Sequence, residues 1–583
     1  MPNITHLSAT DAAFLYLETP EMPMHVASLY LLDLPPGYQG NYFEDLKEHL
    51  RRRMHVSPIF QRRVETMPLD LAAPVWVDCD VDLDYHVRQI MLPRPGSIRQ
   101  LEAYVARLHS SLLDRSRPLW EVYLFEGLET GEVAIYTKVH HCTLDGMGSI
   151  ELVKALLDIT PTPREVRASR HRLQRDIHLG LAEMVQASVS HNLRQTLRAL
   201  QVVGPAARGL VSTGRRLLER VRADGGLLRR LQGGRRPIFA PRTALNVTIT
   251  NQRAFGTLTL PLAEVKEVGK SVGATINDMV MAICAGGLRR YLRETTELPN
   301  DPLIAMMPVS LREKGDDSMT NQVSMLPVSL HTDMPDPNRR MSAIRDSLAE
   351  AKEGLGTYRQ VMINDFPFLG MPWLMSAAVS LYGRAHLAEK LPVIGNVAIS
   401  NVAGPQMPLY YAGARVKCYY PVSIATHGVA LNITVVSYNG RIDFGFTACR
   451  RAMPDMQDFV EDMRTAYEEL KAAIERHLRK AAEEAQAVPD SVPKAEAPRA
   501  LPRSRAATPR RAPVARPPKL TVVAGTGGAA ATGAAAAGPS SPRRAPKVVA
   551  AASKARAKPR TSARARPPAP AGVRGAGRTP GGE

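Results

Sequence analysis

The sequence is poor in the residues that mark several common protein classes. Its 583 residues include only five cysteines, which are scattered and form no Cys-x-x-Cys pair. An odd, sparse set of cysteines argues against a disulfide framework and against a zinc cage built from thiolates. The N-terminal residues also lack a basic stretch followed by an apolar one, so no secretory signal is visible.

Long hydrophobic runs are missing as well. The most apolar segment, residues 366–382, is interrupted by Pro367, Gly370 and Pro372. It is also shorter than the roughly 20 apolar residues that a membrane-spanning helix needs. We therefore expect a cytoplasmic protein, with peripheral contact to the inner membrane or to lipid inclusions as a further expectation.

Positive charge is abundant, but it lies at one end of the chain. The formal net charge is +19, and residues 493–583 contain 19 Lys and Arg against two acidic residues. This tail has no aromatic side chains on which bases could stack, so nucleic acid is not an expected partner. Its composition cannot bury enough apolar surface to fold, and we predict a disordered basic tail over 483–583. Solubilisation and contact with anionic membranes both remain open as its role.

The remainder of the chain is too long for one ordinary core and reads as mixed α/β. We predict one half over 1–163, a basic helical connector over 164–240 and a second half over 241–482. The connector either packs across both halves or offers a basic amphipathic surface to anionic lipid. Predicted strands lie at 27–32, 133–139, 303–310, 323–330, 395–400 and 428–436, and predicted helices at 43–53, 100–113 and 454–482. Asn439–Gly440 predicts a hairpin turn.

The most informative segment is HHCTLDG, residues 140–146. If the preceding strand continues through both histidines, alternation points His140 and His141 to opposite faces. His141 then follows the more apolar face, with Ile135 and Val139. Asp145–Gly146 reads as a turn before a helix that packs back on the sheet.

A histidine in this setting suits acyl transfer from a thioester. A hydroxyl that attacks a thioester must lose its proton, and a neutral imidazole can accept it near pH 7. The thioester is already activated, so no covalent nucleophile is required. Three alternatives stay open from the residues alone: a structural histidine, a metal site on His140, His141 and Asp145, and Cys142 as a nucleophile.

The segment HHCTLDG matches the HHxxxDG signature of chloramphenicol acetyltransferase-like enzymes and peptide-synthetase condensation domains. The surrounding sequence resembles the bacterial wax ester synthase/diacylglycerol acyltransferase family, in family order, over about residues 5–475. The matching stretches are LSATDAAFLYLETPEMPMHV (7–26), SRPLWE (116–121), TINDMVMAICAGGLRRYL (275–292), MPVSLR (307–312), NQVS (321–324) and ISNVAGP (399–405).

The resemblance implies an α/β fold of two chloramphenicol acetyltransferase-like halves with an active-site channel between them. It implies that His141 is the general base, that His140 supports it and that Asp145 shapes the motif through an arginine. The implied substrate-binding residues are Gly146, Pro118, Leu119, Trp120, Asn277, Asp278, Ser400 and Asn401. Helix capping is an equal alternative for Asn277 and Asp278, and turn formation is an alternative for Ser400 and Asn401. His25 and His427 are expected to be structural.

The expected function is transfer of a long acyl group from acyl-CoA to diacylglycerol or to a long-chain alcohol. We expect no metal and no cofactor, since acyl-CoA is a substrate. Two alternatives remain: acyl transfer to a sugar or secondary-metabolite hydroxyl, and a non-catalytic role on lipid droplets.

Overall fold

Helices and strands alternate along the chain in a mixed α/β order. The computed structural model describes residues 5–67, 73–144, 148–166, 239–295, 297–310, 323–359 and 372–487. Asp145, Gly146, most of the predicted connector and the predicted tail beyond Ala487 lie outside these residues. The helices are α1 (Ala9–Leu17), α2 (Tyr42–Arg53), α3 (Leu83–His86), α4 (Ile98–His109), α5 (Gly148–Leu156), α6 (Leu262–Ser271), α7 (Ile276–Thr295), α8 (Pro337–Arg359), α9 (Pro372–Arg384) and α10 (Met456–Ala487).

The described strands assemble into three sheets. One sheet has seven strands in the order β5-β6-β7-β2-β14-β13-β8, one has six in the order β11-β10-β12-β15-β16-β9, and one has three in the order β1-β4-β3. The strands are β1 (Thr5–His6), β2 (His25–Asp33), β3 (Arg62–Glu65), β4 (Val75–Asp78), β5 (Val87–Met91), β6 (Trp120–Glu126), β7 (Val133–His140), β8 (Leu157–Asp158), β9 (Arg253–Pro261), β10 (Ile304–Ser310), β11 (Val323–Ser329), β12 (Val397–Ala403), β13 (Tyr410–Tyr411), β14 (Ala414–Val422), β15 (Leu431–Tyr438) and β16 (Arg441–Cys449).

The seven-stranded sheet holds the histidine motif at the end of its strand β7. Every residue of β7 is buried. Ile135 and Val139 belong to one apolar cluster, while Ala134 and Tyr136 belong to another. Alternate residues of β7 therefore pack into two cores, one on each face of the sheet. Burial on both faces fixes the position of the strand end.

The six-stranded sheet buries one face against helices. Ile399 and Ile433 share a core cluster with Cys284 of α7, Ile344 of α8 and Phe459 of α10. Because successive residues of a strand point to opposite faces, their neighbours Ala398, Ser400, Asn432 and Thr434 lie on the other face. That second face borders the candidate site described below.

One pair of strands crosses between the predicted halves. Strands β13 and β14 follow β12 in sequence, but they pair within the seven-stranded sheet. β14 runs antiparallel to β2, with Val422 opposite Ala27. The predicted ranges 1–163 and 241–482 thus contribute strands to a common sheet, an exchange that strand periodicity does not reveal.

The predicted hairpin is confirmed at Asn439–Gly440. Both residues have positive φ, 43° and 79°. Two successive residues with positive φ match the right-handed twist of the flanking strands, which here are β15 and β16. The closing helix is also observed, as α10.

Helix length and apolarity bear on membrane crossing. No single helix in the described ranges is both long and apolar enough to span a bilayer. α6 and α7 meet these two criteria only as a pair, with a 96° bend between them.

Candidate active site

The histidine pair sits where β7 ends and a 3₁₀ turn, His141–Thr143, begins. His140 is fully buried, and its Nδ1 accepts a hydrogen bond of 3.1 Å from the backbone N–H of Cys142. His140 thereby caps the turn, as an N-cap residue caps a helix. The strand predicted over 133–139 extends one residue further, to His140, and ends before His141. The two rings nonetheless face different surroundings.

His141 is held by its backbone and by one aromatic ring. Its N–H donates to the carbonyl oxygen of Met24 at 2.9 Å. Its imidazole stacks on Phe14, with ring centroids 3.9 Å apart and planes 19° from parallel. Its Nδ1 has no hydrogen-bond partner among the described residues. Burial lowers the pKa of His141 to about 4, despite an opposing contact with its own backbone. The ring is therefore neutral at pH 7.

A buried carboxylate lies behind the histidine pair. Oε1 of Glu18 is 3.2 Å from Nε2 of His140, and Oε2 accepts from Nη2 of Arg115 at 2.8 Å. Burial alone would raise the pKa of Glu18, but its contacts with His140 and Arg115 lower this pKa to about 2. Glu18 is thus ionised at neutral pH, in a place where an unpaired charge would be costly.

A cavity of about 730 Å³ opens beside His141. The first half contributes one wall, from α1 and from the segments around Met24 and His141. The six-stranded sheet contributes the opposite wall with its second face. Its lining side chains there are Met306, Pro308, Met325, Ala398, Ser400, Asn432 and Thr434. A volume of this size lies within the range of small-molecule sites.

The cavity is mainly apolar, with a small polar strip on the sheet. Ser400 lies beside Thr434 in the parallel pairing of β12 and β15. The hydroxyl of Thr434 donates to Oδ1 of Asn432 at 2.8 Å, and the Asn432 amide donates to the carbonyl of Ile424 at 3.0 Å. An apolar site with a few fixed polar groups can hold an acyl chain and orient its polar end.

Of the four predicted substrate-binding residues in the second half, Ser400 alone lines this cavity. Asn401, the next residue of β12, points to the opposite face of the sheet. Asp278 lies in the first turn of α7: its carboxylate accepts from the N–H of Thr275 at 2.8 Å, and the Thr275 hydroxyl accepts from the N–H of Asp278 at 3.3 Å. This reciprocal pair is a capping box, the alternative considered for Asp278. The Asn277 amide lies 4.0 Å from the sulfur of Met307, away from the cavity lining.

Pro118, Leu119 and Trp120 lie behind the histidine motif and do not line the cavity. Trp120 starts β6 opposite Val139, and the carbonyl of Leu119 accepts from the N–H of His140 at 3.0 Å. Leu119 and Trp120 are 0% and 1% exposed. They support the strand that ends at His140, so their contact with substrate is not direct in this geometry.

Several residues that line the cavity or lie behind its wall were not identified from the sequence. Phe14, Glu18 and Met24 all fall in the first stretch that carries the family resemblance, but no local pattern marks them as partners of a histidine more than 110 residues away. His427 borders the cavity, and its Nδ1 accepts from the N–H of Ile249 at 3.2 Å. His25 is buried, with Nε2 2.9 Å from the carbonyl oxygen of His109.

The geometry also bears on Cys142 as a nucleophile. Cys142 is buried, and burial holds the pKa of its thiol well above the ordinary value. A protonated, buried thiol is a poor nucleophile. In the part of the chain that the structure describes, no three His, Cys, Asp or Glu side chains are grouped so that they could hold a metal ion.

Two models of one protein family match most of this chain. The model of the wax ester synthase/diacylglycerol acyltransferase catalytic domain matches residues 7–280, and the model of the C-terminal domain of that family matches residues 319–471. A Mycobacterium tuberculosis protein named as a probable diacylglycerol O-acyltransferase is 36% identical over 466 residues, which cover 80% of this chain and 98% of that protein.

A solved structure extends the likeness to three dimensions. The wax ester synthase/diacylglycerol acyltransferase from Marinobacter aquaeolei is 32% identical, with a TM-score of 0.57, and the match covers 81% of this chain and 100% of that one. The predicted two-half α/β fold is thereby confirmed. This chain is an acyltransferase that belongs to the wax ester synthase/diacylglycerol acyltransferase family.

Proposed function

We propose that the protein transfers a long acyl chain from coenzyme A to a hydroxyl of diacylglycerol or of a long-chain alcohol, with His141 as the general base. One observation carries the proposal: a neutral imidazole borders a mainly apolar cavity between the two sheets. The names of the matched relatives, which include diacylglycerol O-acyltransferase and wax ester synthase, support this class of acceptor.

The proposed step balances protons within the site. As the acceptor oxygen attacks the thioester carbonyl, its proton moves to His141. The tetrahedral intermediate collapses, the carbon–sulfur bond breaks, and the imidazolium returns the proton to the departing thiolate of coenzyme A. A positioned base of this kind contributes about 10²–10⁴ in rate, and His141 can begin the cycle because it is neutral.

The cavity supports the proposed substrates through its two kinds of lining. Met306, Met325 and Phe14 provide apolar surface for an acyl chain, and methionine adapts readily to chains of different shape. Ser400 and Thr434 offer hydroxyl groups to the polar end of a substrate. We assign Pro118, Leu119 and Trp120 a supporting role, and we assign Asp145 the orienting role that the family resemblance implies.

Replacing the base tests the proposal. In an assay of the full chain with labelled palmitoyl-CoA, His141→Ala should reduce ester formation by about 10²–10⁴. His477→Ala is the matched control, since His477 is an exposed residue of α10 far from the motif in sequence. The control should retain the wild-type rate. Full activity in a folded His141→Ala protein would exclude His141 as the base.

An acceptor panel tests the substrate. Diacylglycerol, hexadecanol, trehalose and a blank are offered with the same labelled donor. Labelled triacylglycerol or wax ester is the expected product. Labelled trehalose ester as the sole product would favour the alternative of a sugar acceptor, and no transfer to any acceptor would favour a lipid-binding role.

A further inference from the structure

The side chain of Glu18 is 2% exposed, although nothing in its local sequence requires a buried acid. It follows directly after α1 and lies close to three groups at once. Its Oε1 accepts from the N–H of Met24 at 3.1 Å and lies 3.2 Å from Nε2 of His140. Its Oε2 accepts from Nε and Nη2 of Arg115, at 3.2 and 2.8 Å.

The first of these contacts leads to the backbone of His141. The N–H of Met24 donates to Glu18. The carbonyl oxygen of Met24 accepts from the N–H of His141 at 2.9 Å. Fixing one peptide group of Met24 against the carboxylate therefore restricts where its carbonyl, and hence the backbone of His141, can lie.

The second contact leads to the turn that His141 begins. A backbone N–H always donates, so the hydrogen bond from Cys142 requires that Nδ1 of His140 be unprotonated. In the neutral ring the proton then resides on Nε2, the nitrogen that faces Glu18. The Nε2 contact is close without being well aligned as a hydrogen bond, and the negative carboxylate still favours a proton at that position. Glu18 thus favours the tautomer that can cap the turn.

The third route passes through α1 itself. Phe14 lies on α1, four residues before Glu18, and stacks on the imidazole of His141. Arg115 joins the end of this helix to Glu18, because its Nη2 also donates to the carbonyl of Leu15 at 3.0 Å. The arginine therefore anchors the helix that carries the stacked ring.

We propose that Glu18 is a positioning residue for His141, acting through His140, Met24 and α1. It touches no cavity surface and takes no part in proton transfer. This inference rests on the proposed function, since it gives Glu18 a role only if His141 is the base. A purely structural alternative is that Glu18 and Arg115 form a buried ion pair that stabilises the fold and has no particular effect on the base.

Kinetic constants distinguish the two. In the full chain, Glu18→Ala should lower kcat by about 100-fold and change KM for palmitoyl-CoA by less than about twofold, because the cavity is intact while the base is misplaced. Glu18→Gln keeps an oxygen for Met24 and His140, and should stay within about tenfold of the wild-type kcat. Glu48→Gln is the matched control: Glu48 also contacts two arginines, Arg51 and Arg52, but on the exposed side of α2.

A double variant separates this inference from the proposed function. If Glu18 acts by placing His141, Glu18→Ala has no further effect once the imidazole is gone. The His141→Ala single variant and the Glu18→Ala/His141→Ala double variant should therefore show the same residual single-turnover rate. A further loss in the double variant would overturn the inference, as would a kcat for Glu18→Ala within threefold of wild type. Retained activity in His141→Ala alone would instead overturn the proposed function.

A second variant covers a failure of Glu18→Ala to fold. Glu18→Asp keeps the negative charge beside Arg115, but its side chain is one carbon shorter, so its oxygens lie farther from Met24 and His140. If Glu18→Ala lacks the wild-type melting temperature, Glu18→Asp replaces it in both experiments. The expected result is then a kcat about tenfold lower than wild type with KM unchanged, and an unchanged kcat would overturn the inference.

Discussion

The two walls of the cavity are built in different ways. The wall that carries the histidine motif rests on buried charged and polar groups, among them Glu18 and His140 at 2% and 0% exposure. The opposite wall is one face of the six-stranded sheet, where Met306, Ala398 and Ser400 are half-buried against the cavity. Close packing and paired charges over-determine the position of the histidine, whereas the sheet face mainly sets the shape of the space. The difference suggests that chemistry and substrate preference can be altered separately.

The largest expected difference between the walls is in stability. Leu119→Ala, behind the histidine motif, should lower the free energy of unfolding by about 2–5 kcal/mol, because the residue is fully buried and its removal leaves a cavity. Met325→Ala, on the sheet wall, should cost less than about 1 kcal/mol, since Met325 is 46% exposed. Denaturant unfolding of both variants measures this difference. Equal losses would show that the two walls are packed alike.

A second, smaller effect concerns pH. The protonated ring cannot accept a proton, so activity should fall as the pH drops through the pKa of His141, which burial lowers to about 4. At pH 5, kcat/KM should therefore retain about nine tenths of its value at pH 7.5, whereas a base with the ordinary pKa of about 6.5 would retain about 3%. This contrast is about thirtyfold.

The same shift has a consequence for stability that must be controlled. The unfolded chain binds a proton at this histidine below pH 6.5, and the native protein does so only near pH 4. The contribution of His141 to stability is therefore present above pH 6.5 and is lost as the pH falls from 6.5 to 4. Circular dichroism at each pH identifies the range in which rates refer to folded protein. An acidic limb centred near pH 6.5 in folded protein would show that the ring is not desolvated.

The smallest effect tests the sheet wall alone. Ala398→Met places a longer side chain in the cavity and should raise KM for palmitoyl-CoA by about three- to tenfold. The kcat for palmitoyl-CoA should stay unchanged, and so should KM for the shorter octanoyl-CoA. Val402→Met is the control, since Val402 lies on the same strand, is 48% exposed and does not line the cavity. A fall in kcat with Ala398→Met would show that the sheet wall also positions the base.

Much of the fold could be predicted from the sequence because its signals are local. The hairpin follows from Asn439–Gly440, and strand β7 follows from residues 133–139, five of which are β-branched or aromatic. The adjacent histidines of the HHCTLDG segment also form an unusual and compact pattern, and the structure places one of them, His141, beside the cavity. In each case the information lies within about ten residues of the feature.

The parts that could not be predicted depend on contacts between distant residues. The buried carboxylate of Glu18 meets Arg115 and His140 only after the chain has folded. The end of β7 is set by a side-chain cap from His140, which no hydrophobic period encodes. Asp278 was open to two interpretations because a capping residue and a ligand have the same polar chemistry, and only its hydrogen bonds with Thr275 distinguish them.

The placement of β14 has a consequence for dividing this enzyme into pieces. A polypeptide that stops before residue 240 would keep β7 beside β2 but lack β14 on the other side, so that one row of β2 backbone amides and carbonyls would face solvent. Open sheet edges of this kind recruit strands from other molecules. We expect such a fragment to elute as aggregates on gel filtration and to become monodisperse when a peptide spanning 410–422 is supplied. If the enzyme is to be reassembled from two fragments, residues 410–422 would therefore have to be joined to the N-terminal fragment.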